Sequence, residues 1–243
     1  MVKENILGFD VCCSDENDLI KEIFKDYVYN NQVVINSINP EIIINNIKDD
    51  DYKKNMNNQK YQIPDGIGIV YASKINKGHI KSRITGIDFM NRIIEESIIY
   101  DSKIFLYGSK PNIAFKAKQE LEKKYKKINI VGVCDGYIDE NEALEIIEKA
   151  NPDILFVGLG SPKQERFILE NMKKLKTIKI FMPVGGSFDV ISNSIKRAPK
   201  WMINTNLEWF YRLIKQPTRV FRQLKLIKFI LVVFKDKIKK VKE

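Results

Sequence analysis

The chain is poor in the residues that build metal centres. Its 243 residues include 3 cysteines (Cys12, Cys13 and Cys134) and 1 histidine, His79, in no zinc-type spacing. A Cys/His metal site is therefore excluded. The odd cysteine count, and an amino terminus (MVKENILGFDVCC) without the apolar core and cleavage site of a signal peptide, imply a reduced, cytoplasmic setting. Long apolar runs are also missing. Phe229–Phe234 holds 6 residues, whereas a bilayer span needs roughly 20. Two nucleotide signatures are absent as well. Residues Ile6–Asp15 carry no G-x-G-x-x-G loop, which argues against an NAD-dependent oxidoreductase, and no G-x-x-x-x-G-K-[ST] occurs. Asp49-Asp50-Asp51 sits in a polar stretch rather than after a strand and reads as a solvated charge run, so no D-x-D metal holder is expected.

What is present is alternation. Strand-like apolar runs occur at Gln32–Asn36, Lys103–Tyr107, Ile128–Val133, Asp153–Val157 and Ile178–Pro183. Segments of helical period lie at Glu16–Tyr29, Pro40–Ile47, Ile87–Ile99, Asn112–Tyr125, Glu140–Ala150 and Lys163–Leu175. Asn39-Pro40 pairs a capping residue with a first-turn proline, and Thr85-Gly-Ile-Asp88 resembles a capping box. This order predicts an α/β fold with a mostly parallel sheet covered by helices on both faces. Such sheets take ligands beyond the carboxyl ends of their strands. The Asp/Lys/Asn-rich stretch Asp49–Lys60 reads as a polar linker.

After about Ser194 the alternation stops. From Lys196 on there are 14 Lys/Arg and 3 Asp/Glu, leaving 27 basic and 28 acidic residues in the rest of the chain. The net charge of +10 thus belongs to the tail, which points to a local anionic partner. Arg197–Glu243 reads as two or three helices, with Pro199 and Pro217 as starts. Arg219, Arg222, Lys225 and Lys228 recur at three-residue spacing beside Val220, Leu224, Ile227 and Phe229. A basic helix with an apolar flank suits the interface of an anionic membrane. No RNA-recognition motif accompanies the charge, so no nucleic-acid partner is expected.

Four expected strands end in short loops: Ser37–Pro40, Gly108–Pro111, Gly158–Gln164 and Gly185–Asp189. One such loop is an ordinary turn, but four at equivalent positions favour a shared ligand site. Ile63-Pro-Asp-Gly-Ile67 adds a carboxylate, Asp65, at a turn. As a turn residue it needs no function, but at the sheet mouth it is placed to take a proton from a substrate hydroxyl.

Together the motifs INPEI, PDGIGIV, RITGIDF, LYGSKP, LFVGLGSPKQERFI, VGGSFDVISNSIKRAPKWM and NLEWFYRLIKQPTRVFRQ resemble the WecG/TagA/CpsF family of bacterial glycosyltransferases (glycosyltransferase family 26), from about Asn5 to Gln223. The likeness is strongest to the branch of N-acetylmannosaminyltransferases. It implies a Rossmann-like core over residues 1–195 and a helical, membrane-associating appendage over 196–243 that completes the site. It also implies an inverting transfer of N-acetylmannosamine from a UDP-sugar donor to the 4-hydroxyl of an undecaprenyl-diphosphate-linked acceptor, with no metal cofactor, at the inner face of the cell membrane. The family's general base falls on Asp65, its pocket threonine and asparagine on Ser37 and Asn39, and its pocket arginine and glutamine on Arg83 and Gln164. Its appendage arginines fall on Arg212, Arg219 and Arg222. Gly185, Gly186 and Asp189 are assigned to the nucleotide.

Two other readings stay open at this stage. One is a sibling transferase using ManNAc uronic acid or glucose in exopolysaccharide or capsule synthesis. The other is a non-enzymatic membrane-surface module. The apolar faces of a displaced tail also give the chain a means of self-association, so a homo-oligomer in solution is a further expectation. A chain cut near Ser194 is expected to keep a folded core.

Overall fold

The computed structural model describes residues 1–215 and 220–242, without the side chains of residues 212, 220–223 and 240–242. Pro217 lies outside the described residues. Eight strands and twelve helices are described, in the order β1 (Lys3–Ile6), β2 (Phe9–Cys12), α1 (Glu16–Val28), β3 (Val33–Ile38), α2 (Pro40–Asn46), α3 (Asp50–Asn57), β4 (Tyr61–Pro64), α4 (Ile67–Ile75), α5 (Gly86–Ile99), β5 (Lys103–Gly108), α6 (Ile113–Lys124), β6 (Asn129–Cys134), α7 (Glu140–Ala150), β7 (Ile154–Gly158), α8 (Lys163–Asn171), β8 (Ile180–Pro183), α9 (Ser187–Ile191), α10 (Lys200–Asn204), α11 (Glu208–Lys215) and α12 (Val220–Lys242). The five expected strands are found within two residues of their expected bounds. Helix α8 ends at Asn171, short of the expected Leu175.

The main sheet has the order β4-β3-β8-β7-β5-β6, and β3, β8, β7, β5 and β6 run parallel. Strand β7 shows why. All five of its residues are buried, as a parallel strand covered on both faces requires. The fold is thus the α/β architecture that the alternation implies, and it is Rossmann-like, as the family resemblance implies.

The chain divides into two compact units. One comprises Met1–Asp15, Ser37–Thr85 and Arg197–Glu243; the other comprises Glu16–Asn36 and Gly86–Lys196. In the second unit Phe105, Tyr107, Leu155, Val157 and Phe181 share one core with Ala143, Ile147, Phe167 and Ile168 from α7 and α8.

The first unit contains elements that the sequence reading leaves out, strand β4 among them. Strands β1 and β2 form an antiparallel hairpin with Ile6 opposite Phe9. Leu7 and Gly8 turn it at φ +52 and +95, the double positive φ of a type I′ turn. The supposed linker Asp49–Lys60 is instead mostly helix α3. Asp49 caps it by accepting from Tyr52 N–H at 2.9 Å, Asp50 and Asp51 lie in its first turn, and Met56 anchors it. The three aspartates therefore favour the helix N-terminus electrostatically and are more than a solvated run.

The tail forms α10, α11 and α12, and α12 is part of the first unit's core. Phe229 and Val233 are fully buried in one cluster with Ile38, Ile43, Ile44, Ile69 and Ala72. A cut near Ser194 removes both side chains from this cluster. Among the described residues no helix is long and apolar enough to cross a membrane. Phe229→Ala is expected to destabilise the protein by about 3–5 kcal/mol, read as a lowered urea midpoint. Ile227→Ala on the exposed face of the same helix should change it by less than about 0.5 kcal/mol.

Candidate functional site

In the first unit, two backbone hydrogen bonds gather four of the expected site residues. Asp65 N–H donates to Ile38 C=O at 2.8 Å, and Ile84 N–H donates to Pro64 C=O at 2.8 Å. The segments bearing Ser37 and Asn39, Asp65, and Arg83 therefore lie side by side, each partly exposed. Asn39 does cap α2: its Oδ1 accepts from Ile42 N–H at 2.9 Å, with Pro40 in the first turn. The Arg83 guanidinium donates through Nη2 to Ile203 C=O of α10 at 2.6 Å, tying this segment to the tail. Lys225 of α12 approaches Glu41 of α2 at 3.6 Å.

The PDGIG motif has a steric basis. A Cβ on Gly68 would stand 2.6 Å from Pro40 Cγ and 3.1 Å from Leu226 Cδ1. Glycine here lets α4 sit directly against the start of α2 and against α12. That close approach keeps the Asp65 turn beside Asn39-Pro40.

In the second unit the chain leaves β5 toward β6 on one side and β7 toward β8 on the other. The carboxyl ends of β5 and β7 are thus the switch point where such sheets receive ligands. Gly108 pairs with Gly158 across it, and Ser109 N–H donates to Gly158 C=O at 2.8 Å. Gly185, Gly186 and Asp189 follow β8. Ser109 Oγ reaches Asp189 Oδ2 at 3.3 Å, joining the loops after β5 and β8.

Gln164 joins the loops after β7 and β8. It is buried, 6% exposed. Its Oε1 accepts from Gly185 N–H at 3.0 Å, and its Nε2 donates to Glu165 Oε1 at 2.9 Å. Helix α8 is held in place by Phe167, which meets Tyr107 of β5 edge-on at 4.9 Å. Lys163 and Arg166 are exposed, and Arg166 pairs with Glu170 at 3.8 Å.

Sequence reasoning passed over Glu165 and Ser109. Glu165 is 4% exposed. Burial raises its carboxyl pKa, partly offset by the hydrogen bond from Gln164. The one available signal was its place directly after Gln164 in SPKQE. Burial likewise pushes the Cys134 thiol and the Tyr107 phenol up to about 12, so both stay protonated at neutral pH.

The side chains of the three expected tail arginines fall beyond the described part of the structure. Arg219 lies outside the described residues, and so do the side chains of Arg212 and Arg222. Among the described residues no three His, Cys, Asp or Glu side chains are grouped as metal ligands.

The second unit is a doubly wound α/β sheet with interlocked loops at its switch point, the place where such folds take ligands. The chain belongs to the Glycosyl transferase WecG/TagA/CpsF family, whose profile matches residues 4–243. One relative is the N-acetylglucosaminyldiphosphoundecaprenol N-acetyl-beta-D-mannosaminyltransferase of Bacillus subtilis (strain 168). It is 41% identical over 204 residues, which is 84% of this chain and 79% of the relative. A protein of the same name from Bacillus spizizenii is 31% identical over 237 residues, 97% of this chain and 92% of the relative.

Gly68→Ala is expected to cost about 1–3 kcal/mol, because the new methyl overpacks the contact with Pro40. It should also lower glycosyl transfer by displacing the Asp65 turn. Urea unfolding and turnover, measured on the same preparation, check both.

Proposed function

We propose that this chain transfers N-acetylmannosamine from UDP-ManNAc to the 4-hydroxyl of undecaprenyl-diphosphate-GlcNAc. The product is the β-1,4-linked disaccharide of the wall teichoic acid linkage unit. Both relatives carry a name that states N-acetylmannosaminyl transfer to this type of acceptor. The observation that carries the reading is the gathering of Ser37, Asn39, Asp65 and Arg83 by the Ile38–Asp65 and Pro64–Ile84 hydrogen bonds.

In this mechanism Asp65 accepts the proton of the acceptor 4-hydroxyl as its oxygen attacks the anomeric carbon. The bond to UDP breaks on the opposite face, and the diphosphate leaves with the electron pair. The configuration is therefore inverted. Ser37, Asn39 and Arg83 orient the sugars through hydrogen bonds. Gln164, Gly185, Gly186 and Asp189 serve the donor side. Arg212, Arg219 and Arg222 supply guanidinium groups that stabilise the charge of the two diphosphates. The transfer needs no metal, so chelation by EDTA should leave the rate unchanged.

Helix α12 supports a membrane-peripheral placement at the inner face. Leu224, Ile227, Leu231, Phe234 and Ile238 are each 48–59% exposed, and their alternating three- and four-residue spacing lines them along one stripe. Lys228, Lys235 and Lys239 are exposed beside it, where they suit anionic headgroups. Off the membrane the same stripe is the face for self-association.

Asp65→Asn is expected to slow transfer by about 10²–10⁴-fold, while UDP binding, followed by calorimetry, stays within about twofold. Full turnover by this variant rules out Asp65 as the base. Leu231→Glu with Phe234→Glu should abolish co-sedimentation with anionic vesicles without lowering Tm, since both side chains are exposed. Retained sedimentation refutes the α12 stripe as the membrane face.

A further inference from the structure

One buried carboxylate takes no part in the chemistry above. Glu165 lies in the first turn of α8; its Oε1 accepts from Gln164 Nε2, and its Oε2 makes no hydrogen bond. Burying a carboxylate with one bare oxygen opposes folding, so stability alone is a poor reason for the residue.

Its effect on Gln164 is a better one. A carboxylate offers only acceptors, so it admits the NH₂ end of the neighbouring carboxamide and repels the C=O end. The amide is thereby oriented with Oε1 toward Gly185 N–H, 3.0 Å away. With the amide reversed, two donors would face each other. Gly185 stands at φ +52, and a Cβ there would meet nothing within 4 Å. The peptide is held by hydrogen bonds at both ends: its N–H donates to Gln164 Oε1, and the Val184 C=O accepts from Ser187 N–H at 3.1 Å and Ser187 Oγ at 2.7 Å.

We propose that Glu165 is a positioning residue that acts through Gln164 to fix the Gly185-Gly186 loop for binding a nucleoside diphosphate. The proposal rests on reading the loops of the second unit as the donor side. It gives the SPKQE segment a division of labour: Gln164 holds the loop, and Glu165 sets the orientation of Gln164.

The test uses the full chain with Glu165→Met, which removes the acceptor, and Glu165→Gln, which keeps one. UDP binding by calorimetry, Tm, and amide hydrogen exchange at Gly185 are measured at neutral pH. Loss of the relay should weaken UDP binding about tenfold in Glu165→Met, the size of one charge-assisted hydrogen bond. Gly185 exchange should quicken while Tm is unchanged or raised. Glu165→Gln should lose no more than about threefold, because its carbonyl still accepts from Gln164. In a Gln164→Ala background, Glu165→Met should add nothing.

The proposal is overturned if Glu165→Met leaves Gly185 exchange at the wild-type rate, if its loss of UDP binding follows a fall in Tm, or if the two substitutions are additive. A wild-type chain that binds no UDP defeats the donor-side reading and with it the nucleotide role. Gly185 exchange then still decides whether Glu165 acts through Gln164.

Discussion

The burial of Phe229 and Val233 is the constraint on which the first unit depends. These side chains of α12 enter the same apolar cluster as Ile43 and Ile44 of α2 and Ile69 and Ala72 of α4. Those two helices begin beside Asn39 and Asp65. The tail is therefore built into the packing that carries the carboxylate turn. Burying a phenylalanine and a valine contributes a few kcal/mol, about 1.5–3 each. With its other face so fixed, the helix must present Leu224, Ile227, Leu231, Phe234 and Ile238 outward. One packing choice thus sets both the support of the Asp65 turn and the exposure of the apolar stripe.

The second unit is organised by polar contacts at strand ends. Backbone bonds join the loops after β5 and β7, a side-chain bond joins those after β5 and β8, and the Gln164 carboxamide joins those after β7 and β8. Partly satisfied buried polar groups are costly, and sites that carry function are where proteins keep them. Glu165, with one oxygen unbonded, is the group of this unit that fits that description.

Much of the fold was legible because a parallel sheet buried on both faces forces near-continuous apolar strands with helical segments between them. What escaped the sequence depends on partners distant along the chain. Strand β4 is four residues long and contains Gln62, which is fully buried because its Nε2 donates to Asp10 C=O and its N–H meets Cys12 Sγ. The β1–β2 hairpin turns at Leu7 in place of the usual Asn or Asp. Helix α3 buries only Met56 and is otherwise polar, so hydropathy had nothing to detect. In the site, Ser37, Asn39, Asp65 and Arg83 were legible as motif members. The role of Glu165 was not, because it follows from burial and from the direction of a neighbouring amide. Neither of those is written in the order of residues.

The central claim is the identity of the sugar moved and of its acceptor. Its most direct measurement is UDP release, with product mass, from a panel of UDP-sugars supplied with a lipid-diphosphate-GlcNAc acceptor analogue. The account predicts turnover with UDP-ManNAc and a product heavier by one N-acetylhexosamine, dependent on the acceptor. Turnover confined to UDP-glucose or to a ManNAc uronic acid donor would contradict it and point to the sibling transferase. Vesicle binding without release of UDP from any donor would leave only a membrane-surface module.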